Sequence, residues 1–479
     1  INTFYGWLAE TDKTVTVYSQ GVNQSSAGTD KVNAILNCHL ATGRIGRPGS
    51  GPFSVTGQPN AMGGREVGGL ATMLAAHMEL GNPEHSRIVQ EFWKSPKIAD
   101  QQGLKAIDLF QAVGDGRIKA VWIMATNPVD SMPEANAVRD ALSACPFVVV
   151  SDVMRHTDTT AVADVLLPAA AWGEKDGTVT NSERRISRQR SFLDLPVDVK
   201  PDWWQVCELA KRMGYGTAFD YSGPAEIFAE CAALTGAKND GSRDLDMSVH
   251  SAIDAVGYDA LDPFQWPQSA NEEPSETRFF ANGGFYTPNR RANFVPTPYR
   301  PPASDASREF PLVLNTGRIR DQWHTMTRTA KAPRLTSHYA EPFIEIHPDD
   351  AAEIGLIAAD LTEIESPQGR IVVRAAVTER VAPGTVFAPM HWTDQYASSA
   401  RVGTLIANNA DPLSGQPESK IMPVRVRPFR AEWYAFAVAQ NRPRPSNFSY
   451  AAIAPTPANF WRTELAGTSS LPSAHDCAG

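Results

Sequence analysis

Short runs of consecutive apolar residues, each ending in polar residues or proline, interrupt the first half of the chain. The clearest are AVWIMATNP (120–128), PFVVVSD (146–152) and ADVLLP (163–168). Continuous apolarity of this length is typical of parallel strands that are covered on both faces. Ligands of such sheets bind beyond the carboxyl ends of the strands. The polar residues at those ends are Thr126, Asn127, Ser151 and Asp152.

The pattern changes after Pro311 to short strand-like runs separated by turn residues. These runs are PLVLNTG, FIEIHP, DLTEIESP, RIVVRAAVTERV and TVFAPMHW, with one helix-like insert at DDAAEIG. Many short strands with regular turn signals indicate a β-barrel. The predicted fold class is therefore α/β, with parallel-sheet dinucleotide-binding domains followed by a C-terminal barrel of the six-stranded type.

These patterns divide the chain into five predicted regions. Residues 1–55 are the end of an α/β domain, 56–215 are an α/β domain that binds a dinucleotide, 216–305 form a bridging segment with little periodicity, 306–430 form the barrel, and 431–479 form a Pro- and aromatic-rich tail that wraps the surface.

The segment SVTGQPNAMGGREVGGL (54–70) has a glycine density that neither helix nor strand propensity explains. Glycine permits positive φ and a close approach of the backbone to a ligand. Val67, Leu70, Leu74 and Met78 follow at helical spacing, which predicts a helix with Arg65 at its N-terminus. A helix N-terminus with a guanidinium suits an anion. The alternative is a glycine-rich loop packed against a neighbouring element.

Composition limits the classes of function. The chain has 479 residues and a net charge of −9, and the absence of a long basic run argues against a nucleic-acid partner. No apolar run approaches the roughly 18 residues of a membrane span. Five scattered cysteines without a C-x-x-C pair suit neither an iron–sulfur cluster nor a disulfide framework, so we expect reduced thiols and a cytoplasmic location. The start, INTFYGWLAE, has no initiating Met and no signal pattern, and we interpret it as an internal starting point.

None of the polar groups forms a protein nucleophile or an acid–base pair, and the histidines, His391 among them, do not follow a zinc pattern. We therefore expect a cofactor to carry the chemistry. Asp152 at a strand end can accept hydrogen bonds from the N1–H and N2 amine of guanine, or it can serve as a helix N-cap.

The run GVNQSSAGTDKVNAILNCHLATGRIGRPGSGPF (21–53) leads directly into the glycine-rich segment, and together they resemble the molybdenum nitrate reductases of the bis-molybdopterin guanine dinucleotide superfamily, particularly the cytoplasmic assimilatory branch. Formate dehydrogenases of the superfamily have an acidic-methionine-glycine pattern in place of GREVGG. The resemblance implies reduction of nitrate to nitrite at molybdenum. It also places the molybdenum ligand and the cysteines of a 4Fe-4S cluster upstream of this chain, so we expect no metal ligands here and no activity from this chain alone.

The resemblance also implies roles for individual residues. Arg65 would face the substrate, and Ser54 and Gln58 would lie close to the pterin. Thr126, Asn127, Ser151, Asp152, Lys175 and Asp202 would surround one guanosine arm. The donor-rich TGRIRDQWHT (316–325) would contact the cofactor through Thr316, Gly317, Arg318, Gln322, Trp323, His324 and Thr325, and Lys420 would do so from the closing motif DPLSGQPESK. One departure is Gly403, where relatives often carry asparagine.

The implied electron donor is a ferredoxin, a flavodoxin or an NADH-dependent flavoprotein subunit, and neither nucleic acid nor membrane is an expected partner. Two alternatives stay open. One is a formate dehydrogenase or another oxidoreductase of the superfamily. The other is a non-catalytic electron-transfer scaffold, like the molybdopterin-fold subunit of respiratory NADH dehydrogenase. Retention of both the SD/EKDG and the TGR/WHT strings argues against the scaffold.

Overall fold

The computed structural model describes residues 1–271, 273, 276, 278–444 and 448–469. The chain divides into two compact units, each assembled from segments that are distant in sequence. The first unit comprises residues 1–22, 30–105 and 168–298, and the second comprises 23–29, 106–167 and 299–479. The five regions predicted from the sequence follow chain order, and their boundaries stay predictions.

Helices and strands alternate up to about residue 260, and strands predominate afterwards. The helices are α1 (Asn2–Glu10), α2 (Gln20–Asn23), α3 (Gly28–Ala41), α4 (Ala61–Glu66), α5 (Pro83–Trp93), α6 (Ala106–Gly114), α7 (Pro128–Ser131), α8 (Ala135–Ala144), α9 (Asp202–Ala210), α10 (Pro224–Gly236), α11 (Ala255–Asp259), α12 (Pro333–Thr336) and α13 (Pro348–Glu353). The strands are β1 (Val15–Tyr18), β2 (Gly51–Ser54), β3 (Ala120–Met124), β4 (Phe147–Asp152), β5 (Val165–Pro168), β6 (Gly177–Thr180), β7 (Arg185–Gln189), β8 (Phe264–Gln265), β9 (Leu312–Gly317), β10 (Phe343–Ile346), β11 (Leu361–Ser366), β12 (Gly369–Val377), β13 (Thr385–Pro389), β14 (Met422–Pro428), β15 (Trp433–Ala439), β16 (Tyr450–Pro455) and β17 (Trp461–Gly467).

The first unit contains two small sheets. Strands β1 and β2 pair in parallel, with Tyr18 opposite Ser54. Strands β6, β7 and β8 form an antiparallel sheet. Its largest core cluster contains Phe228 of α10, Tyr258 of α11 and Trp266 just after β8. The segment predicted to be a bridge thus contributes helices to a packed core.

In the second unit, strands β3, β4 and β5 form one sheet in that order, and β3 pairs with β4 in parallel. The apolar side chains of β4 pack with those of the helices around it, and Val129, Leu142, Val148 and Val150 are fully buried. The parallel strands expected from the three apolar runs are confirmed. The sheet places Thr126 and Asp152 just beyond or at the carboxyl ends of two adjacent strands.

The predicted barrel is also confirmed. Six strands close in the order β10-β12-β11-β14-β9-β13. Inward-facing side chains such as Leu314, Ile344, Ile364 and Ile371 form its core. The helical insert at DDAAEIG is α13, with Pro348 at its first position and His347 as its N-cap.

The tail differs from the expectation that it merely wraps the surface. Strands β15, β17 and β16 form an antiparallel sheet in that order. Side chains along β15 alternate between the two faces of the sheet, as in a strand with one face against the protein. Tyr434, Phe436 and Val438 are exposed, and their neighbours in sequence are partly covered. Cys477 lies outside the described residues. Within the described part of the chain, no helix is both long and apolar enough to span a bilayer.

Candidate functional site

The glycine-rich segment folds differently from the prediction. Helix α4 lies before the glycine pair 68–69 rather than after it, and Arg65 is in its last turn. The expectation that Arg65 stands at a helix N-terminus is therefore wrong, and the positive end of the helix dipole does not assist it. Arg65 is exposed to solvent.

Gly68 explains why no helix follows. It has a φ of +72°, and a Cβ at this position would lie 2.5 Å from the backbone nitrogen of Ala75. The chain then forms an irregular loop with an isolated antiparallel bridge between Met73 and Glu79. Leu74 and Met78 are buried in that loop, whereas Val67 and Leu70 are exposed, so the helical spacing predicted burial for only two of its four residues and did not predict the backbone conformation.

One threonine of β6 holds both ends of α4. The backbone N–H of Thr180 donates to Oδ1 of Asn60 at 2.9 Å, and its hydroxyl donates to Oε2 of Glu66 at 2.7 Å. The other oxygen of Glu66 accepts from Nε1 of Trp266 at 2.7 Å. Burial raises the pKa of Glu66, and these two hydrogen bonds oppose the rise. The helix that carries Arg65 is thereby fixed to the sheet.

Arg65 shares its surroundings with Ser54 and Tyr18. The pairing of β1 with β2 sets Tyr18 opposite Ser54, and the Ser54 hydroxyl forms a side-chain hydrogen bond with the phenol. Burial raises the pKa of Tyr18, while this hydrogen bond and the charge of Arg65 lower it. Two of the predicted site residues, Ser54 and Arg65, thus lie near one another. Gln58 is exposed on the intervening loop.

Lys175 and Asp202 form an ion pair of 3.1 Å between Nζ and Oδ2. The second carboxylate oxygen of Asp202 is buried and has no hydrogen-bond partner in the described part of the chain. A buried acceptor without a partner is costly. The pair therefore offers an acceptor to a ligand that carries N–H donors.

The polar residues at the strand ends of the second unit differ in burial and in hydrogen-bond partners. Asn127 is buried, and both ends of its amide are engaged: Oδ1 accepts from the Thr159 hydroxyl at 2.6 Å, and Nδ2 donates to Asp130 at 2.5 Å. Only its backbone is left to contact a ligand. Ser151 is fully buried and accepts from Nε1 of Trp122 at 2.8 Å.

Thr126 is exposed, and Asp152 is partly exposed at the end of β4. Oδ1 of Asp152 accepts from the backbone N–H of Met154 at 2.8 Å. Burial raises the pKa of Asp152, against hydrogen bonds from the backbone of Met154 and Val153. Its carboxylate therefore caps the following turn through the backbone N–H groups of Met154 and Val153.

The TGRIRDQWHT loop begins at the end of β9, and Lys420 reaches it from the segment before β14. Nζ of Lys420 donates to the carbonyl oxygen of Thr316 at 2.5 Å, and the hydroxyl of Thr316 donates to the carbonyl oxygen of Ser419 at 2.8 Å. Burial, and then the nearby guanidinium of Arg318, lower the pKa of Lys420 to about 8. Three residues expected to contact a cofactor, Thr316, Arg318 and Lys420, therefore lie together.

Arg318 and Lys420 have no carboxylate partner among the residues that the structure describes, where no Asp or Glu lies within ion-pair distance of either side chain. A half-buried group of like charges is unfavourable unless an anion neutralises it. The donor set fits the pyrophosphate of a dinucleotide, to which guanidinium and ammonium groups both donate.

The rest of the loop is partly turned inward. Gln322 is buried, with Oε1 accepting from the Thr329 hydroxyl at 2.6 Å, and Thr325 is buried as well. Trp323 and His324 are partly exposed, and Arg318 lies over the ring of Trp323 at 5.0 Å. Gly317 ends the strand against the ring of Phe387.

Sequence reasoning missed His391 because its partners are backbone atoms. The fully buried ring lies between two points of this loop, with Nδ1 2.6 Å from the carbonyl oxygen of His324 and Nε2 2.9 Å from the backbone nitrogen of Ile319. A single histidine with backbone partners forms no sequence motif from which this role could be predicted.

Gly403 has a steric reason. It is buried in a short helix (Val402–Leu405), and a Cβ at this position would lie 2.5 Å from the carbonyl oxygen of Met132 and 2.7 Å from that of Asp130. The close approach of α7 excludes asparagine here, so this chain makes no side-chain contact with a cofactor from this position.

Two families match the chain. The family described as Molybdopterin oxidoreductase matches residues 2–212, and the one described as Molydopterin dinucleotide binding domain matches residues 312–423. The second match contains the cationic loop, and the first contains the glycine-rich segment. The chain belongs to the molybdopterin oxidoreductases, and its cofactor class is a molybdopterin.

The similar proteins of known name include nitrate reductases and formate dehydrogenase subunits. The nitrate reductase of Klebsiella oxytoca is 47% identical over 90% of this chain and 49% of its own length, and that of Shewanella frigidimarina is 42% identical over 89% and 48%. The F420-dependent formate dehydrogenase subunit alpha of Methanocaldococcus jannaschii is 33% identical over 86% and 57%. The chain thus spans about half the length of the curated relatives that it matches most strongly.

A solved structure shows the same fold. Acetylene hydratase from Pelobacter acetylenicus superposes with a TM-score of 0.54 at 17% identity, covering 67% of this chain and 46% of its own. In the described residues of the present chain, no three His, Cys, Asp or Glu side chains are grouped as a metal site would require.

Proposed function

We propose that this chain is part of an enzyme that reduces nitrate to nitrite for nitrate assimilation. The observation that carries the proposal is the 47% identity to a nitrate reductase over 90% of the chain, compared with 33% for the formate dehydrogenase. The GREVGG string lies within this matched region. Reduction of nitrate to nitrite takes two electrons and two protons and releases water.

Arg65 is the residue proposed to face nitrate. Its exposed guanidinium stands at the end of a helix that Thr180 and Glu66 fix to the sheet, so the side chain extends from a rigid base. A guanidinium fork matches two oxygens of a planar oxyanion and stabilises charge left on departing nitrite. Ser54 and Tyr18 bring hydroxyl groups to the same neighbourhood.

The proposed cofactor is bis-molybdopterin guanine dinucleotide with molybdenum. When bound, it supplies the two-electron oxygen-atom transfer. Arg318 and Lys420 would neutralise its pyrophosphate, and Trp323 and His324 would flank it on the same loop. Gln58, Gly317 and Thr325 are proposed to shape the space close to the pterin. Gln322 supports the loop from inside through Thr329.

The guanine form of the dinucleotide is supported by carboxylates with acceptor capacity. Asp202 has a buried oxygen without a partner in the described part of the chain, and the partly exposed carboxylate of Asp152 stands at the end of β4. Both suit the N–H donors of guanine, whereas adenine presents an acceptor at N1. Lys175 is proposed as a guanosine contact beside Asp202 in the first unit. Thr126, Asn127 and Ser151 are proposed as guanosine contacts beside Asp152 in the second unit.

The complete protein is proposed to be cytoplasmic and to contain a 4Fe-4S cluster outside this chain. Electrons would arrive from a ferredoxin, a flavodoxin or an NADH-dependent flavoprotein subunit.

The test uses the complete enzyme, purified and assayed with reduced viologen and nitrate, and separately with formate and oxidised viologen. Nitrite formation without formate oxidation is the expected result. Formate oxidation alone would assign the chain to the formate dehydrogenases. Absence of molybdenum and pterin by metal analysis and fluorescence would leave the non-catalytic scaffold.

A further inference from the structure

His391 is placed where one ring can hold two separated points of the cofactor loop. Nε2 accepts the backbone N–H of Ile319 at 2.9 Å, and Nδ1 lies 2.6 Å from the carbonyl oxygen of His324. Since Nε2 accepts, the proton must be on Nδ1, which then donates to His324. The two hydrogen bonds require one neutral tautomer.

The loop needs such support because its backbone is strained. His324 has a φ of +40° and Met326 has a φ of +62°. Residues with a Cβ rarely adopt this left-handed region, and they persist there only when surrounding contacts hold them. The hydrogen bond from His391 reaches the carbonyl oxygen of His324 itself.

The surroundings also keep the ring neutral. Burial lowers the pKa of His391 to about 4, and the hydrogen bond to His324 opposes this. The titratable and charged groups that face it are His324 and Arg318, and both lower the pKa further. At neutral pH, the Nε2 acceptor is therefore always present.

We propose that His391 is a positioning residue, which holds residues 319–324 in the conformation that binds the dinucleotide. The inference rests on the proposed cofactor-binding role of this loop. The fully buried ring is not proposed to contact the ligand. It holds the backbone at Ile319 and at His324, and the proposed ligand contacts Arg318, Trp323 and His324 lie at or next to these two points.

The experiment compares the complete wild-type enzyme with His391→Phe, which fills the space but makes neither hydrogen bond, and with His391→Asn, which can keep a donor close to the position of Nδ1. The control is His250→Phe, at a partly buried histidine of the first unit that packs against Phe228 and Phe264. Two quantities are measured: pterin and molybdenum per protein, and amide hydrogen exchange of residues 319–324 in protein freed of cofactor.

In His391→Phe, we expect faster exchange of the Ile319 amide and a lower content of pterin and molybdenum per protein, because two hydrogen bonds to the backbone of the loop are lost. The Asn variant should keep more of the cofactor than the Phe variant, because it can still donate to His324, while its Ile319 amide should still exchange faster than in wild type. The His250 control should match wild type in both measurements.

Wild-type exchange and full cofactor content in His391→Phe would overturn the inference. Faster exchange with unchanged cofactor content would also overturn it, because the loop conformation would then not matter for binding. If the Phe variant does not fold, the same two measurements on the Asn variant decide. Absence of pterin from the wild-type enzyme would instead reject the proposed function. The exchange data would still show whether His391 holds residues 319–324.

Discussion

The Thr180 hydroxyl donates a 2.7 Å hydrogen bond to Glu66 at the C-terminal end of α4. The backbone N–H of Thr180 donates to Asn60 at the N-terminal end of the same helix. Thr180→Val keeps the backbone contact and the volume but leaves a buried carboxylate oxygen without its donor. We expect a loss of about 1–3 kcal/mol in the free energy of unfolding. Thr180→Ser retains the hydroxyl and should stay close to wild type. Urea denaturation of the two variants measures the difference, and equal midpoints would show that Glu66 does not depend on this donor.

Arg65→Lys keeps the charge and removes the planar fork. In the complete enzyme, we expect nitrate turnover to fall on the order of 10²–10³-fold, the usual cost of losing one oriented donor in a transition state. The assay compares kcat and KM for nitrate at matched molybdenum and iron content, with Arg87→Lys on the exposed face of α5 as the control. Near-wild-type constants would remove Arg65 from the active site.

The lowered pKa of Lys420 predicts that anion binding depends on pH. Its ammonium is charged below about pH 8 and loses its proton above that pH. The affinity of this chain for inorganic pyrophosphate should therefore fall as pH rises through about 8, by about tenfold or more, because one charge-assisted hydrogen bond is lost. Calorimetric titration between pH 7 and 9.5 measures this, and Lys420→Met should flatten the profile.

The same group affects stability with the opposite trend. The unfolded chain keeps the lysine proton up to its ordinary pKa of 10.5, so between about pH 8 and 10.5 the unfolded state binds more protons than the folded state. This group's contribution to stability therefore rises with pH across that window. A decrease attributable to Lys420 would mean that its pKa is not lowered.

Asp152→Ala should lower the guanine dinucleotide content of the complete enzyme, because the base donors lose a charged acceptor worth about 1–3 kcal/mol. The variant also loses the hydrogen bond to the Met154 amide, so its thermal stability is measured alongside. Asp140→Ala, on the exposed side of α8, is the control. Full cofactor occupancy in Asp152→Ala would reduce this residue to a cap of the turn.

Strand patterns in the sequence were reliable where burial alone sets the backbone. Continuous apolar runs identified β3, β4 and β5, and the short strand-like runs separated by turn residues after Pro311 identified the barrel. The helix expected after the glycine pair failed because Gly68 has a positive φ, and Leu74 and Met78 reach the core from a loop. Periodicity does not exclude another backbone path that buries some of the same side chains, and Val67 and Leu70 of this pattern stay exposed.

The candidate site was predictable where residues are adjacent in sequence and less so elsewhere. The grouping of Thr316 with Arg318 follows from one string, and Lys420 joins them across 104 residues. The internal engagement of Asn127 depends on Thr159 and Asp130, and the role of His391 depends on backbone atoms. The residue types alone do not predict such partners.

Glu418 accepts hydrogen bonds from the backbone and the hydroxyl of Ser26 at 2.9 and 2.5 Å, across 392 positions of the chain. Asp411 binds Thr29 in the same way. During synthesis at about 5–20 residues per second, the early segment must wait roughly 20–80 seconds before these carboxylates leave the ribosome. Until then, residues 23–29 have no native partner in this pair of contacts. Nascent chains of this protein should therefore depend on chaperones late into translation, and premature termination before Asp411 should yield a second unit that cannot close.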